Sequence, residues 1–205
     1  MSKVTNKTKL MTKTLAGAAL LAAAATATAM PSYAPVGPQQ NVAFGTVTGG
    51  GWSQCFSGDY GGSFNLGAAV ANCSGDMLML AGTRDGSTAI QLLAWALKSD
   101  VLTFTAQNST HAANGAEWYL NNSSMGFAPA GFAISQNSAD TNSAPGFGSA
   151  GDDGTNRLSW HTGGTVGDVN TINVNGGWRV GNDTFLNSAP SGFTRYLFTA
   201  NSGDV

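Results

Sequence analysis

An all-β fold, a single antiparallel β-sandwich or jelly-roll-like domain, is predicted by three features of this 205-residue chain. Short apolar runs alternate with turn clusters, and none keeps a 3.6-residue period over the length of a helix. Two hairpin-type dipeptides, Asp85-Gly86 and Asn175-Gly176, fall between such runs. The 28 glycines follow no three-residue period, which excludes a collagen-like chain and leaves them to punctuate turns. With 42% hydrophobic residues the chain also has enough apolar side chains to build a core.

The first 29 residues stand apart from that pattern. Lys3, Lys7, Lys9 and Lys13 precede a short apolar stretch, Leu15 to Leu21, and no acid intervenes. A small-residue exit follows at Ala27-Thr-Ala29, completing the pattern of a secretory signal peptide. Cleavage is expected after Ala29; the alternative after Ala34 would leave Pro35 as the new N-terminus, a poor junction. The apolar stretch is about half of the roughly 20 residues a spanning helix needs. Removing residues 1–29 leaves five basic side chains against eleven acidic ones, a formal charge of −6. Such a chain has no basic footprint for nucleic acid and no membrane span, and it is expected to be secreted or held at the cell surface.

Residues 30–41 contain Pro31, Pro35 and Pro38 and are expected to form an extended leader to a domain over 42–205. Strands are expected at 42–48, 77–81, 88–97, 101–105, 117–120, 131–135, 157–161, 171–174, 178–180 and 194–199. Asp85-Gly86 would turn the second into the third, and Asn175-Gly176 would make a hairpin of 171–174 and 178–180. Phe64–Asn72 has the composition of one or two helical turns. Ala89–Lys98 is ambiguous by periodicity, and the turn before it argues for a buried strand. Trp52 and Trp95, like Trp118 and Trp160, recur at roughly the 40–45-residue spacing of propeller blades, so a small four-bladed propeller is the alternative fold. Residues 136–156 form a long polar loop, and loops of that length are usually functional or disordered.

Cys55 and Cys73 are the only cysteines, and export places them in an oxidising compartment, where a disulfide is expected. Closing that loop contributes on the order of 3 kcal/mol by the chain-entropy model. Asp152, Asp153 and Asn156 gather oxygen ligands among glycines, so calcium is a possible cofactor, although the spacing is not that of an EF-hand loop and a solvated acidic turn is the simpler reading. No motif selects a catalytic residue. Gly146-x-Gly148-x-x-Gly151 matches a dinucleotide pattern in letters but has no strand before it and no helix after it. Glu117, His111 and His161 could supply acid and base only if the fold gathered them. The remaining signal is aromatic: Trp118, Tyr119, Trp160 and Trp178, with Asn114, Asn121, Asn122, Asn182 and Asp183 nearby, have the chemistry of a sugar-binding face. The competing reading is that the same rings fill a sandwich core.

The blocks Gly51-Trp-Ser-Gln-Cys55, Cys73-Ser-Gly-Asp-Met-Leu-Met-Leu-Ala-Gly82, Leu93-Ala-Trp-Ala96, His111-Ala-Ala-Asn-Gly-Ala-Glu-Trp-Tyr119, Arg157-Leu-Ser-Trp-His161 and Gly176-Gly-Trp178 carry a resemblance. Over about residues 51–199 the chain resembles secreted bacterial proteins of the PEP-CTERM-associated kind. That resemblance implies a role in the envelope or an exopolysaccharide matrix and carries over no catalytic residue. The sequence departs from the pattern at Gly203-Asp-Val205, where a Val-Pro-Glu-Pro tail would begin, which reads as release from the cell or as a shortened chain. Together these features lead to the expectation of a non-enzymatic extracellular protein that binds polysaccharide or serves as a matrix component. A secreted hydrolase of neutral polysaccharide and a self-assembling surface protein are the alternatives.

Overall fold

The computed structural model describes Met1, residues 29–134 and residues 154–203. Its strands are β1 (Gln39–Ala43), β2 (Ser53–Asp59), β3 (Ser63–Asn65), β4 (Met77–Arg84), β5 (Ala89–Leu97), β6 (His111–Ala113), β7 (Ala116–Leu120), β8 (Ser124–Pro129), β9 (Leu158–Gly163), β10 (Asn173–Val180), β11 (Asp183–Thr184) and β12 (Phe193–Ala200). Short helices α1 (Phe44–Gly49), α2 (Leu66–Ala71) and α3 (Lys98–Val101) join some of them. Sheet A runs β1-β5-β4-β12-β2, and sheet B is a meander from β6 to β11 in which β3 also pairs with β10. Every pairing is antiparallel. Leu78, Leu80, Leu92 and Leu197 of sheet A meet Trp118, Phe127, Leu158 and Trp160 of sheet B across one shared core. The domain is therefore an antiparallel β-sandwich, and two stacked sheets stand where the alternative would have placed four blades.

The continuous run Met77-Leu-Met-Leu-Ala81 explains why sheet A is buried on both sides, since a strand facing water on one side would alternate with polar residues. Leu78 and Leu80 enter the shared core, whereas Met77, Met79 and Ala81 enter a second apolar cluster on the outer face. The N-terminal segment covers that outer face. Val47 and Trp52 are buried there against Phe198 and Leu93, with Tyr33, Phe44 and Trp95 packed around them. The two indole N–H groups find carbonyls in the leader: Trp52 Nε1 donates to Tyr33 O at 2.7 Å and Trp95 Nε1 to Pro35 O at 2.7 Å. Asn114 then holds the leader from the other side, donating to Pro35 O at 3.1 Å and to Trp95 O at 3.0 Å. The fold thus begins before residue 42, because Pro31 is already buried and β1 starts at Gln39.

Two further devices fix the corner between β2 and β3. The Tyr60 ring lies between the sheets at Gly82 and Gly177, where a Cβ would come within 2.9 and 1.8 Å of it, and its hydroxyl donates to Arg179 O at 2.6 Å. Arg195 is buried over the rings of Phe64, Tyr60 and Trp160, at 4.9, 5.6 and 5.6 Å, and donates to the carbonyls of Asp59 and Gly62. Burial lowers its guanidinium pKa to about 10, and burial raises that of the Tyr60 hydroxyl. After β3, Asn65 caps α2 by accepting from Ala68 N at 2.9 Å, as an Asn at that position does well. Leu66, Ala69 and Val70 of α2 face the core and deliver Cys73 to Cys55, to which it is disulfide-bonded.

Several local expectations are corrected by tertiary context. Residues 42–48 make only the end of β1 before turning into α1, which lets Val47 reach the outer-face cluster. The stretch 101–105 holds the end of α3 and irregular chain, and 131–134 contains no strand. Strand β8, which local pattern does not predict, contains Gly126 and Pro129, which read as breakers; Gly126 is needed because a Cβ there would stand 2.0 Å from Leu158 O. The edge strands β2 and β6 are too polar or too short to announce themselves. Asn175-Gly176 is not a hairpin turn. It lies inside the single strand β10 at a register shift between Val174 and Gly177, where Gly176 takes φ 102° and supplies a bulge.

Candidate functional site

The aromatic residues singled out from the sequence divide sharply. Trp118 and Trp160 are 1% and 0% exposed, and Tyr119 is 1% exposed, so these three rings pack inside the protein rather than presenting a face. The Trp118 indole donates to Ala113 O at 3.0 Å, and the ring stands 5.4 Å from that of Phe127. Asn121 is buried too, its Oδ1 accepting from Ser123 N and Ser124 N at 2.9 and 3.0 Å to turn β7 into β8. Only Trp178 reaches the surface.

The potential acid–base set is not gathered. His111 pairs with Trp118, and Ala112 with Glu117, so His111 and Glu117 point to opposite faces of sheet B. Glu117 is occupied, accepting from Thr110 Oγ1 at 2.8 Å and Gly131 N at 3.1 Å. His161 stands on β9 opposite Ser124, whereas Glu117 stands opposite Ala128, which separates them by two strands across, about 10 Å, and four residues along, about 13 Å. Proton transfer needs hydrogen-bond reach, which this arrangement does not give. Of the calcium candidates, Asp152 and Asp153 lie outside the described residues; Asn156 Oδ1 accepts from Gln40 Nε2 at 2.8 Å. No group of three or more metal-binding His, Cys, Asp or Glu side chains occurs among the described residues.

What the fold does assemble is a polar cleft of about 390 Å³ where β1, β4 and β5 of sheet A meet the β10–β11 turn. The volume falls in the range of about 300–1,000 Å³ usual for small-ligand sites. Asp183 lines it. Its Oδ1 meets Arg84 Nη2 at 3.0 Å and its Oδ2 accepts from Gln91 Nε2 at 2.7 Å, so the carboxylate is held from two sides. Gln91 also donates to Val180 O at 3.2 Å, tying sheet A to the turn. The turn itself is braced from beneath. Gly181 N donates to Arg157 O at 2.8 Å, and buried Arg179 donates from Nε to Gly181 O at 3.1 Å. Gly181 takes φ 58°, and a Cβ there would meet Thr155 O at 2.9 Å, so the two-residue turn requires glycine at its first position.

Opposite that turn, Asn41 lines the cleft at φ 54°, a conformation uncommon outside glycine and best tolerated by Asn and Asp. The side chains of Asn41 and Asn182 are exposed and make no hydrogen bond within the described structure. Each offers an amide oxygen and two N–H donors to whatever enters. Thr83 and Ser87 add hydroxyls, both held by Ala89 O at 2.7 Å. Arg84 is also the one exposed guanidinium among the described residues, because Arg157, Arg179 and Arg195 are buried. The cleft therefore carries a neutralised ion pair surrounded by amides and hydroxyls, a set suited to a neutral, hydroxyl-rich ligand.

Beside the cleft, β11 leads from Asp183 to Phe185, which is 72% exposed at φ 63°. The Phe185 ring lies 4.4 Å from that of Trp178, and the Trp178 ring lies 6.1 Å from His161. Burial lowers the His161 pKa, so its neutral form is favoured. The chain matches no protein-family profile, no curated protein and no solved structure. Asn182 and Asp183 were visible in the sequence as polar neighbours of Trp178; Gln40, Asn41, Arg84 and Gln91 were not, because nothing in their local pattern says that four separate segments converge.

Proposed function

We propose that this chain is an exported, non-enzymatic protein that binds neutral polysaccharide outside the cell, through the cleft around Asp183. One observation carries the reading: two unpartnered amides, Asn41 and Asn182, flank a carboxylate already oriented by Arg84 and Gln91. The Asp183 carboxylate, held by Arg84 and Gln91, binds hydroxyls well because the protein has met the cost of ordering it before the ligand arrives, and the two amides add donors and acceptors beside it. The formal charge of −6 after loss of residues 1–29 disfavours a polyanionic ligand. Export is supported by the basic and apolar N-terminal pattern and by the Cys55–Cys73 disulfide, which suits an oxidising compartment. The burial of Pro31 supports cleavage after Ala29 rather than after Ala34.

Affinity electrophoresis in gels containing soluble neutral glucans, mannans, galactans or xylans tests this directly. The protein should be retarded by at least one of them, and Asn182→Ala should lose most of the retardation while keeping its melting temperature. Migration unaffected by every polymer, or an Asn182→Ala variant retarded like the parent, would overturn the proposal.

A further inference from the structure

We infer that the chain pairs with a second copy of itself through the pole of the sandwich opposite the cleft, as a two-fold dimer whose clefts face apart. β4 and β5 place the two sites at opposite ends of one hairpin. Arg84 and Ala89, beside its turn, line the cleft; Met77 and Leu97, at its open end, line an apolar groove of about 470 Å³. The eight residues of β4 put roughly 23 Å between them. Met30, Trp95 and Ala112 contribute further to the walls of the groove. Met30 and Leu97 are 50% and 44% exposed, so apolar surface is left facing water at this pole. Leu97 also borders a second hollow, with Leu102, Lys98 and Asp76. An exposed apolar side chain shared by two hollows is a knob beside its own socket, the relief that fits a second copy across a two-fold axis.

Charge selects a second copy as the occupant. The chain from Met30 onward carries a formal charge of −6, so two copies repel each other unless a cation lies at their contact. Among the described residues Arg84 and Lys98 are the Arg and Lys side chains that are not buried, and Arg84 is committed to Asp183 in the cleft. Lys98 lies at the pole, donates to Cys73 O and makes no ion pair among the described residues. Asp100, its neighbour in α3, makes no side-chain hydrogen bond among the described residues. Side chains two apart on a helix point to different faces, so these two do not satisfy each other within one chain. A two-fold axis beside α3 sets Lys98 against Asp100 of the second copy, and the reverse, which forms two ion pairs around the apolar contact. Pairing at this pole leaves both clefts open, on the order of 50 Å apart at the far ends of the dimer. On the cleft reading proposed above, such a dimer ties two polysaccharide strands together, whereas a monomer decorates one.

Sedimentation equilibrium of the purified protein, from about 1 to 100 μM and with no ligand present, tests the dimer. The weight-average mass should rise toward twice the chain mass. Leu97→Asp should hold it at the monomer mass and keep the melting temperature, because that side chain already reaches water. Lys98→Glu and Asp100→Lys should each weaken association about tenfold, and the doubly exchanged variant should regain it, which a misfolded pole does not do. Monomer mass at every concentration, with the pole then left to a different partner, would refute the proposal. A dimer that Leu97→Asp leaves intact would refute it as well. A cleft that binds nothing leaves this measurement unchanged, so the two readings fail separately. The cross-linking role is read as precipitation of a bound polysaccharide by the parent and not by Leu97→Asp; equal precipitation by both would remove that role.

Discussion

The outer face of sheet A and the corner at β10–β11 both carry tryptophan and phenylalanine, yet they treat them in opposite ways. On sheet A, Trp52 and Trp95 stand 5.7 Å apart beneath the leader, each indole N–H satisfied by a leader carbonyl. At the corner, Trp178 is half-buried, Phe185 is exposed, and the backbone twice enters the left-handed region, at Gly181 and Phe185. The first region obeys local rules of burial and hydrogen bonding. The second departs from them in a confined place, near the unpartnered amides of Asn41 and Asn182. Departures from local consistency are where function or strain is expected, and the contrast shows which aromatic residues stabilise and which are available.

The largest effect should come from closing the space that holds the two regions together. Gly177→Ala would place a methyl 1.8 Å from the Tyr60 ring, which is fixed between the sheets. A loss of about 3 kcal/mol or more is expected, read as a shifted midpoint in urea unfolding, and a stability equal to the parent would refute the role given to Tyr60. Reduction of the Cys55–Cys73 bond, or its replacement by two alanines, should cost about 3 kcal/mol on the chain-entropy argument, measured the same way.

Next in size is the leader. A chain starting at Met30 should be as stable as the full domain, whereas one starting at Pro35 lacks Tyr33 and leaves the buried Trp52 N–H without its acceptor. About 2 kcal/mol should separate them, and equal unfolding midpoints would show that the outer face of sheet A seals without the leader. The corner should be tolerant by comparison. Phe185→Gly should be neutral or slightly stabilising by thermal melting, since it relieves a strained backbone; a marked loss would move Phe185 from the available class to the structural one.

The smallest effect is the pH response of His161. Burial lowers its pKa in the folded state, so the unfolded chain binds more protons below the ordinary histidine value of about 6.5. The folded state is favoured above that pH, and the advantage is lost as pH falls toward and below the folded pKa. Melting temperatures of the parent and His161→Gln should therefore converge as the pH is lowered from 7 to 5. A parent advantage that grows with acid would contradict the assignment.

Much of the fold was legible. The runs that became β4, β5, β7, β9 and β12 and the turn at Asp85-Gly86 follow from local pattern, as do the α2 helix and the partnership of the two cysteines. These features depend on neighbours close in sequence, or on a choice with one solution. The edge strand β2, the glycine-bearing β8 and the bulge at Asn175-Gly176 depend on partners far along the chain. Gly126 reads as a breaker until Leu158 O is seen to fill the space of its missing side chain.

By itself, the sequence determined an all-β chain with one cystine, a core-forming supply of apolar residues, a basic and apolar N-terminal segment of distinct composition and an acidic remainder. Only the tertiary structure decided which aromatic residues are core and which are surface, because Trp118, Trp160 and Trp178 are alike in local pattern and differ in what the opposite sheet brings to them. The cleft is a tertiary property for the same reason. Gln40, Arg84, Gln91 and Asp183 come from four separate segments, and no spacing along the chain encodes the pairing of β1 with β5 and the approach of the β10–β11 turn that bring them together.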